Sequence, residues 1–352
     1  MEHLIPQIWF VGLPQWALLL ITAVTLLVLI KGADLLVDGA SGFAYRLGIS
    51  KVIVGATIVS LGTTSPECGV SVMAAWSGQS GLALGNAIGS IIVDTGLIFG
   101  LGCLLTVLPA DRFVLVRQGW VQYGTAILLS VICYAAWARS GDAAILGRGV
   151  GLLLLALLAG YMFISVHWSR RHRHGEPFQI DETIDTRRKA RPPVARLLAL
   201  GFAGLVAVLL SSRVLILSVT ELAEAHWHVP QVVIAATLVA LGTSLPELVI
   251  GMTSIAKGHR EILVGNVIGA DILNVLFVVG ASAAAAPLPL LDPTSEIPAI
   301  LLYLHLPAML VILTLFRVFI VGACRRGGFQ RWQGVPLVLA YVAYVVLQFV
   351  VT

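Results

Sequence analysis

The stretch ATIVSLGTTSPE (56–67) returns 180 residues later as ATLVALGTSLPE (236–247). Extending this alignment without a gap over 51–102 and 231–282 gives sixteen identities in 52 positions. A second cluster falls where GNAIGSI (85–91) meets GNVIGAD (265–271). Chance likeness between two apolar segments would spread over Leu, Val and Ala. Here the identities gather on Gly, Thr, Pro, Glu and Asn, which contact with lipid does not explain. The chain is therefore built from two related halves.

The surrounding composition identifies the medium. Of 352 residues, 58% are hydrophobic and 11% charged, against about 25% charged in a soluble domain. Apolar runs long enough to cross a bilayer recur throughout. They are read as ten spans near 8–30, 38–77, 82–108, 115–137, 144–167, 194–219, 227–256, 262–288, 296–320 and 333–351. The first lacks a basic leader region and is read as a retained span. The two motif copies open in the second and seventh spans, five apart, so they cross the membrane in opposite senses. The expected fold is all-α and polytopic, with two inverted five-helix repeats at 1–168 and 194–352 joined by a linker at 169–193. Spans two and seven are long and carry Gly62 with Pro66 and Gly242 with Pro246. Proline removes a donor and crowds the preceding turn, which predicts a broken helix in each.

Lys31, Arg112, Arg117, the run from Arg170 to Arg196, Lys257, Arg260, Arg317, Arg325, Arg326 and Arg331 fall on one side of this count. The other side holds Glu221, Glu224, Asp292 and Glu296 with few basic residues. The positive-inside bias then puts both termini outside and the 169–193 linker in the cytoplasm of a multi-pass cell (inner) membrane protein. Asp34 and Asp38, near Lys31, are read as a solvated helix end. Cys68, Cys103, Cys133 and Cys324 are dispersed and suggest neither a zinc site nor a disulfide framework.

Glu67 and Glu247 stand inside apolar spans, and neither repeat's inner region offers a Lys or Arg partner. An ionised carboxylate at this depth is costly unless compensated, so the pair takes up protons or a cation from solution. Thr63, Thr64, Thr243 and Ser244 add hydroxyls one turn before each Glu. Carbonyls freed by the prolines complete an all-oxygen set suited to hard cations, and the absence of Cys and His disfavours soft metals. Interrupted helices at matching places in inverted repeats mark a transporter's midplane site. Asp271 and Asp94 follow the two GNxIG motifs, opposite Ile91 and Asn274. Asn86 and Asn266 are read as structural, bonding backbone groups of the broken helices.

GTTSPE, GTSLPE and GNVIGAD resemble the cation/calcium exchanger superfamily, most closely its prokaryotic sodium/calcium exchangers, over nearly the whole chain. The resemblance implies a calcium/sodium antiporter working by alternating access, not an enzyme, with no resident cofactor. It implies Glu67 and Glu247 as central calcium carboxylates and Asp271 as a third acidic group. Thr63, Thr243 and Ser244 would add oxygens, with carbonyls near Ser60 and Ala240. Partners are calcium and sodium ions and the lipid bilayer, with no nucleic acid, and no oligomeric state is assigned. One departure is notable: Ile91 occupies a position where the family usually has Asn, and the GSII run resembles the proton-coupled calcium exchangers. Asp94 lies three residues on, a step that turns it about 60° away on an α-helix. Proton/calcium exchange is thus the alternative coupling. A membrane-embedded hydrolase with paired acids and a passive channel are other classes, and the inverted repeat favours a carrier over both.

Overall fold

A computed structural model describes residues 6–47, 50–172, 193–226, 244–291 and 299–351. Helix α1 is Gln15–Leu47. α2 covers 51–76 as Lys51–Val54, a π turn Gly55–Val59 and Ser60–Trp76. α3 is Ser80–Leu105, α4 Arg112–Ser140 and α5 Arg148–His172. In the second half α6 is Val194–Glu221, continued by a π turn Leu222–His226, and α7 is Leu245–Ala256. α8 is Arg260–Ala285, α9 Leu301–Arg326 and α10 Gly334–Val351. Among the described residues, seven helices are long and apolar enough to cross a membrane unaided. The chain is a helical, multi-pass membrane protein.

Two expected features differ. The apolar stretch near 38–77 is not one broken span: α1 carries on to Leu47, and a new helix starts at Lys51. Nor does α2 break at Gly62–Pro66, where the helix is continuous. Its irregularity is the π turn one turn earlier, a distortion that often marks functional sites. Local hydroxyls take up carbonyls around the proline, with Thr63 donating to the Ser60 carbonyl (3.2 Å) and Ser65 to that of Leu61. Pro66 therefore costs one hydrogen bond rather than the helix. In the second copy, 227–243 lies outside the described residues, as do Asp292 and Glu296 in 292–298 and most of the linker, at 173–192.

The core of the fold is a close crossing of α2 with α8. A Cβ on Gly265 would stand 2.0 Å from the Val52 carbonyl oxygen, and one on Gly269 would stand 2.4 Å from that of Ala56. One on Gly55 would meet the Ile262 oxygen at 2.7 Å. Backbone thus packs on backbone, as small residues permit between membrane helices. Ile262 to Leu273 is buried without interruption. Gly85 and Gly89, the repeat equivalents of Gly265 and Gly269, meet nothing among the described residues.

α1 and α6 form a separate pair, again glycine to glycine. A Cβ on Gly204 would lie 2.4 Å from the Leu36 nitrogen, and one on Gly39 2.6 Å from the Gly201 nitrogen. Thr22 and Ser218 share a hydrogen bond (3.0 Å), and the Gly12 N–H donates to Glu221 (3.3 Å). Asp34 and Asp38 are not merely solvated. Lys257, in the α7–α8 turn, lies 2.7 Å from an Asp38 carboxylate oxygen and donates to the Asp34 carbonyl (3.0 Å). This contact ties the α1–α6 pair to the core.

Contacts between loops agree with alternating helix directions. Leu108–Pro109, after α3, pairs with Gly328–Phe329, after α9. Ile145–Leu146, after α4, pairs with Leu288–Pro289, after α8. Each pair joins connections that a ten-span count puts on one side of the membrane.

At the face bearing Lys257, Lys51 Nζ lies 2.9 Å from His259 Nδ1. Burial, then the Lys51 charge, holds the His259 imidazole below its ordinary range. Because the folded chain disfavours the protonated ring, this group's contribution is complete above about pH 6.5, the ordinary His value, and declines as pH falls below it. Thermal unfolding of purified protein between pH 7.5 and 5 should show this decline, and His259→Gln should flatten it. A second test probes the α2–α8 crossing. Gly265→Ala should lower the unfolding temperature by several degrees or abolish folding, since overpacking costs about 1–3 kcal/mol or more. Gly124→Ala, where an added Cβ meets nothing within 4 Å, should leave the temperature nearly unchanged.

Candidate functional site

The site lies where the two motif copies meet beneath this crossing. Ser60–Trp76 of α2 carries Ser60, Thr63, Thr64 and Glu67, all buried. α7 opens at Ser244, and its first turn carries Pro246, tolerated there without loss of a bond, and Glu247. α3 and α8 each contain a π turn at matching places, Val93–Phe99 and Asn274–Val279. Asp94 stands in the first, and Asp271 lies one turn before the second.

Four carboxyl groups are enclosed here: Glu67, Asp94 and Asp271 are each 1% exposed, and Glu247 is 2%. Glu67 interacts electrostatically with Glu247 and Asp94, and Asp94 with Glu247 and Asp271. Among the described residues, no Lys or Arg enters the surroundings of Glu67 or Glu247. The Thr63 hydroxyl lies beside Glu247 while donating to the Ser60 carbonyl. That of Ser244 lies beside Asp94, short of hydrogen-bonding geometry. Among the described residues, Glu67 Oε2, Glu247 Oε2, Asp94 Oδ1, Asp271 Oδ1, Thr64 Oγ1 and Ser244 Oγ are buried without a hydrogen-bond partner. Enclosed acceptors of this kind are costly unless something satisfies them. No three acidic, His or Cys side chains among the described residues close on a single point. A cation held here would thus be shared between two carboxyls and neutral oxygens.

The structure therefore brings Glu67, Glu247, Asp94, Asp271, Thr63, Thr64, Ser60 and Ser244 into one buried region. Thr243 and Ala240 lie outside the described residues. The 60° offset expected for Asp94 does not remove it from the site, since its carboxyl faces Glu247 and Asp271. Ile91 is buried among apolar side chains. Asn86 acts structurally, donating to the Glu67 carbonyl (3.4 Å) and to Ser71 Oγ (3.0 Å). Asn266 lacks this arrangement, because Gly251 stands where the first copy has Ser71.

Sequence reasoning passed over Thr95 and Gln122. Both donate to Asp271 Oδ2, and both are buried. Gln118 belongs to the same face of α4, where its Oε1 accepts from Tyr161 OH at 2.7 Å. The sign was available: Gln118, Gln122 and Thr125 recur at i, i+4 and i+7 in an apolar span, a polar stripe facing protein rather than lipid.

The comparisons with known proteins agree with this architecture. The model of the family described as sodium/calcium exchanger protein matches residues 17–167 and 196–350. The chain belongs to this family. It is 32% identical over 330 residues to CaxA of Alkalimonas amylolytica, a candidate antiporter by its name, covering 93% of this chain and 97% of the relative. It is 28% identical over 352 residues to the sodium/calcium exchanger MaX1 of Methanosarcina acetivorans, covering 94% and 98%. A solved structure of the sodium-calcium exchanger NCX_Mj, soaked without sodium or calcium, superposes with a TM-score of 0.75 at 24% identity. It covers 94% of this chain and 98% of that one, and shows a shared fold. In this family member both matched stretches contain one copy of the motif, and the carboxyl cluster lies between them.

Removing charge from the cluster should relieve it. Glu67→Gln and Glu247→Gln should each fold at least as stably as the parent in calcium-free buffer, because like charges a few ångströms apart repel at low dielectric. Each should also lose the calcium-induced rise in unfolding temperature expected of the parent, read by scanning fluorimetry in detergent.

Proposed function

We propose that the chain is a secondary antiporter that exchanges calcium for sodium across the cell membrane by alternating access. The observation that supports it most is the buried pair of Glu67 and Glu247, one from each inverted copy, with no cationic side chain beside them among the described residues. Two carboxylates about 4 Å apart repel by about 4 kcal/mol at an effective dielectric constant near 20. A divalent ion, or monovalent ions in its place, relieves the repulsion, and neither can occupy the pair fully while the other does. This competition is the chemical basis of exchange. Calcium and sodium are cargo here, so the reading needs no resident cofactor and no catalytic step. The NCX_Mj neighbour, soaked without sodium or calcium, and the MaX1 relative supply the fold and the family context for it.

Glu67, Glu247, Asp94 and Asp271 would hold the ions with Thr63, Thr64, Ser244 and the Ser60 carbonyl, joined by Thr243 and Ala240. The α1–α6 pair, packed through glycines to itself and tied to the core through Lys257, would move as a unit past the site and expose it to one side at a time. The distribution of basic segments supports a topology with both termini outside and the 169–193 linker in the cytoplasm. Each of the two repeats, 1–168 and 194–352, would contribute one helix to the moving pair and the rest to the core.

Proton coupling is the second reading. Ile91 supplies no amide oxygen at the level where Asp94 adds a carboxyl to the cluster, a substitution of charge for a neutral ligand.

Calcium-45 uptake into proteoliposomes decides between them. Vesicles loaded with sodium should take up calcium, and Glu247→Gln should reduce the rate at least a hundredfold. Uptake driven equally by an outward proton gradient without sodium would transfer the protein to proton coupling. Undiminished uptake by Glu247→Gln would refute both.

A further inference from the structure

Asp271 breaks the repeat symmetry, and so do the groups that hold it. Its counterpart in the first copy is Ile91, while the counterpart of Thr95 in the second copy is Val275. The acid thus occurs in one copy and its hydroxyl donor in the other. In space the two meet: Thr95 Oγ1 donates to Asp271 Oδ2. Gln122 Nε2, from α4 and outside both motifs, donates to the same oxygen, and it also lies 3.5 Å from Thr95 Oγ1. All three side chains are at most 2% exposed. Oδ1 has no hydrogen-bond partner among the described residues.

Both donors therefore converge on one carboxyl oxygen and leave the other unengaged. Hydrogen bonds from two rigidly placed donors fix the plane of a carboxyl group, and bonds to a charged acceptor are the stronger kind. Thr95 is held by the π turn of α3, and Gln122 by the helix that packs across α8. Neither can follow Asp271 if its side chain rotates, so one rotamer is preferred.

We infer that Gln122 and Thr95 are positioning residues for cation binding, clamping Asp271 through Oδ2 so that Oδ1 is presented to the transported ion. The inference rests on the exchange function proposed above. It makes ion affinity depend on two residues outside the acidic motifs, one of them on a helix outside both aligned motif stretches. It also accounts for the paired asymmetry, since an Asp at position 91 would find Val275 where Asp271 finds Thr95.

The experiment is a double-mutant cycle on calcium exchange in proteoliposomes. Gln122→Leu and Thr95→Val, read separately, should each raise the half-saturating calcium concentration about tenfold, the size expected for one lost charge-assisted bond. Maximal rate should stay within about twofold. In an Asp271→Asn background with measurable exchange, neither change should shift half-saturation further, because the group they orient has been replaced. Additive losses in that background would overturn the inference, as would an unchanged half-saturation in both single variants. If Asp271→Asn abolishes exchange, the same cycle is read from calcium-induced shifts in unfolding temperature. A parent protein that moves no calcium would instead refute the proposed function, an outcome separate from any variant's.

Discussion

Carboxyl groups enclosed within a hydrocarbon-spanning bundle are the constraint on which the rest of this molecule depends. Glu67, Glu247, Asp94 and Asp271 are almost wholly buried, and among the described residues no basic side chain stands beside the two glutamates. Such groups persist in a membrane only if the surroundings hold them in place and a compensating charge can reach them. Each close contact nearby follows from that need. Gly55, Gly265 and Gly269 let α2 and α8 approach backbone to backbone. π turns in α3 and α8 redirect side chains at the level of the acids. Thr63, Ser244, Thr95 and Gln122 place hydroxyl and amide groups around them.

The scaffold divides the work between a tight core and a separate helix pair. α2, α3, α7 and α8 contain the carboxyls and, with α8 buried along its length, leave little room for independent movement. α1 and α6 pack chiefly on one another through Gly32, Gly39, Gly201 and Gly204. Polar attachment between pair and core is concentrated at Lys257, Asp34 and Asp38. A few ion pairs at a water-facing rim are weak and reversible, whereas glycine-mediated backbone packing is not. This contrast is what a carrier with a moving gate and a fixed site would require.

The site is less symmetric than the motifs suggest. Asn86 bridges to Ser71 and the Glu67 carbonyl, but Asn266, whose copy has Gly251 at the position of Ser71, makes no such bridge among the described residues. Asp271 is held by donors from the opposite half, while Ile91 at the same repeat position packs among aliphatic side chains. Two half-sites that differ in this way can prefer different ions, which a symmetric pair cannot.

The sequence by itself determined the helical class, the membrane setting, the duplication and the identity of the central acids. Those follow from local chemistry: apolar runs of bilayer length, and Gly, Thr, Pro and Glu recurring where lipid contact gives no reason for them. It misjudged the break at Pro66, because one missing donor removes a single intrahelical bond while Ser60–Trp76 stays helical through it. It also divided α1 from α2 wrongly, since continuous hydropathy does not reveal that α1 carries on to Leu47 and a new helix starts at Lys51. Only tertiary structure decided that Asp94 faces Glu247, that Lys257 reaches Asp38, and that Gln122 and Thr95 converge on Asp271. These contacts join residues 149 to 219 positions apart or turn on a local π distortion. Spacing along a chain sets which residues share a helix face, but which faces meet is set by how closely the glycines allow the helices to cross.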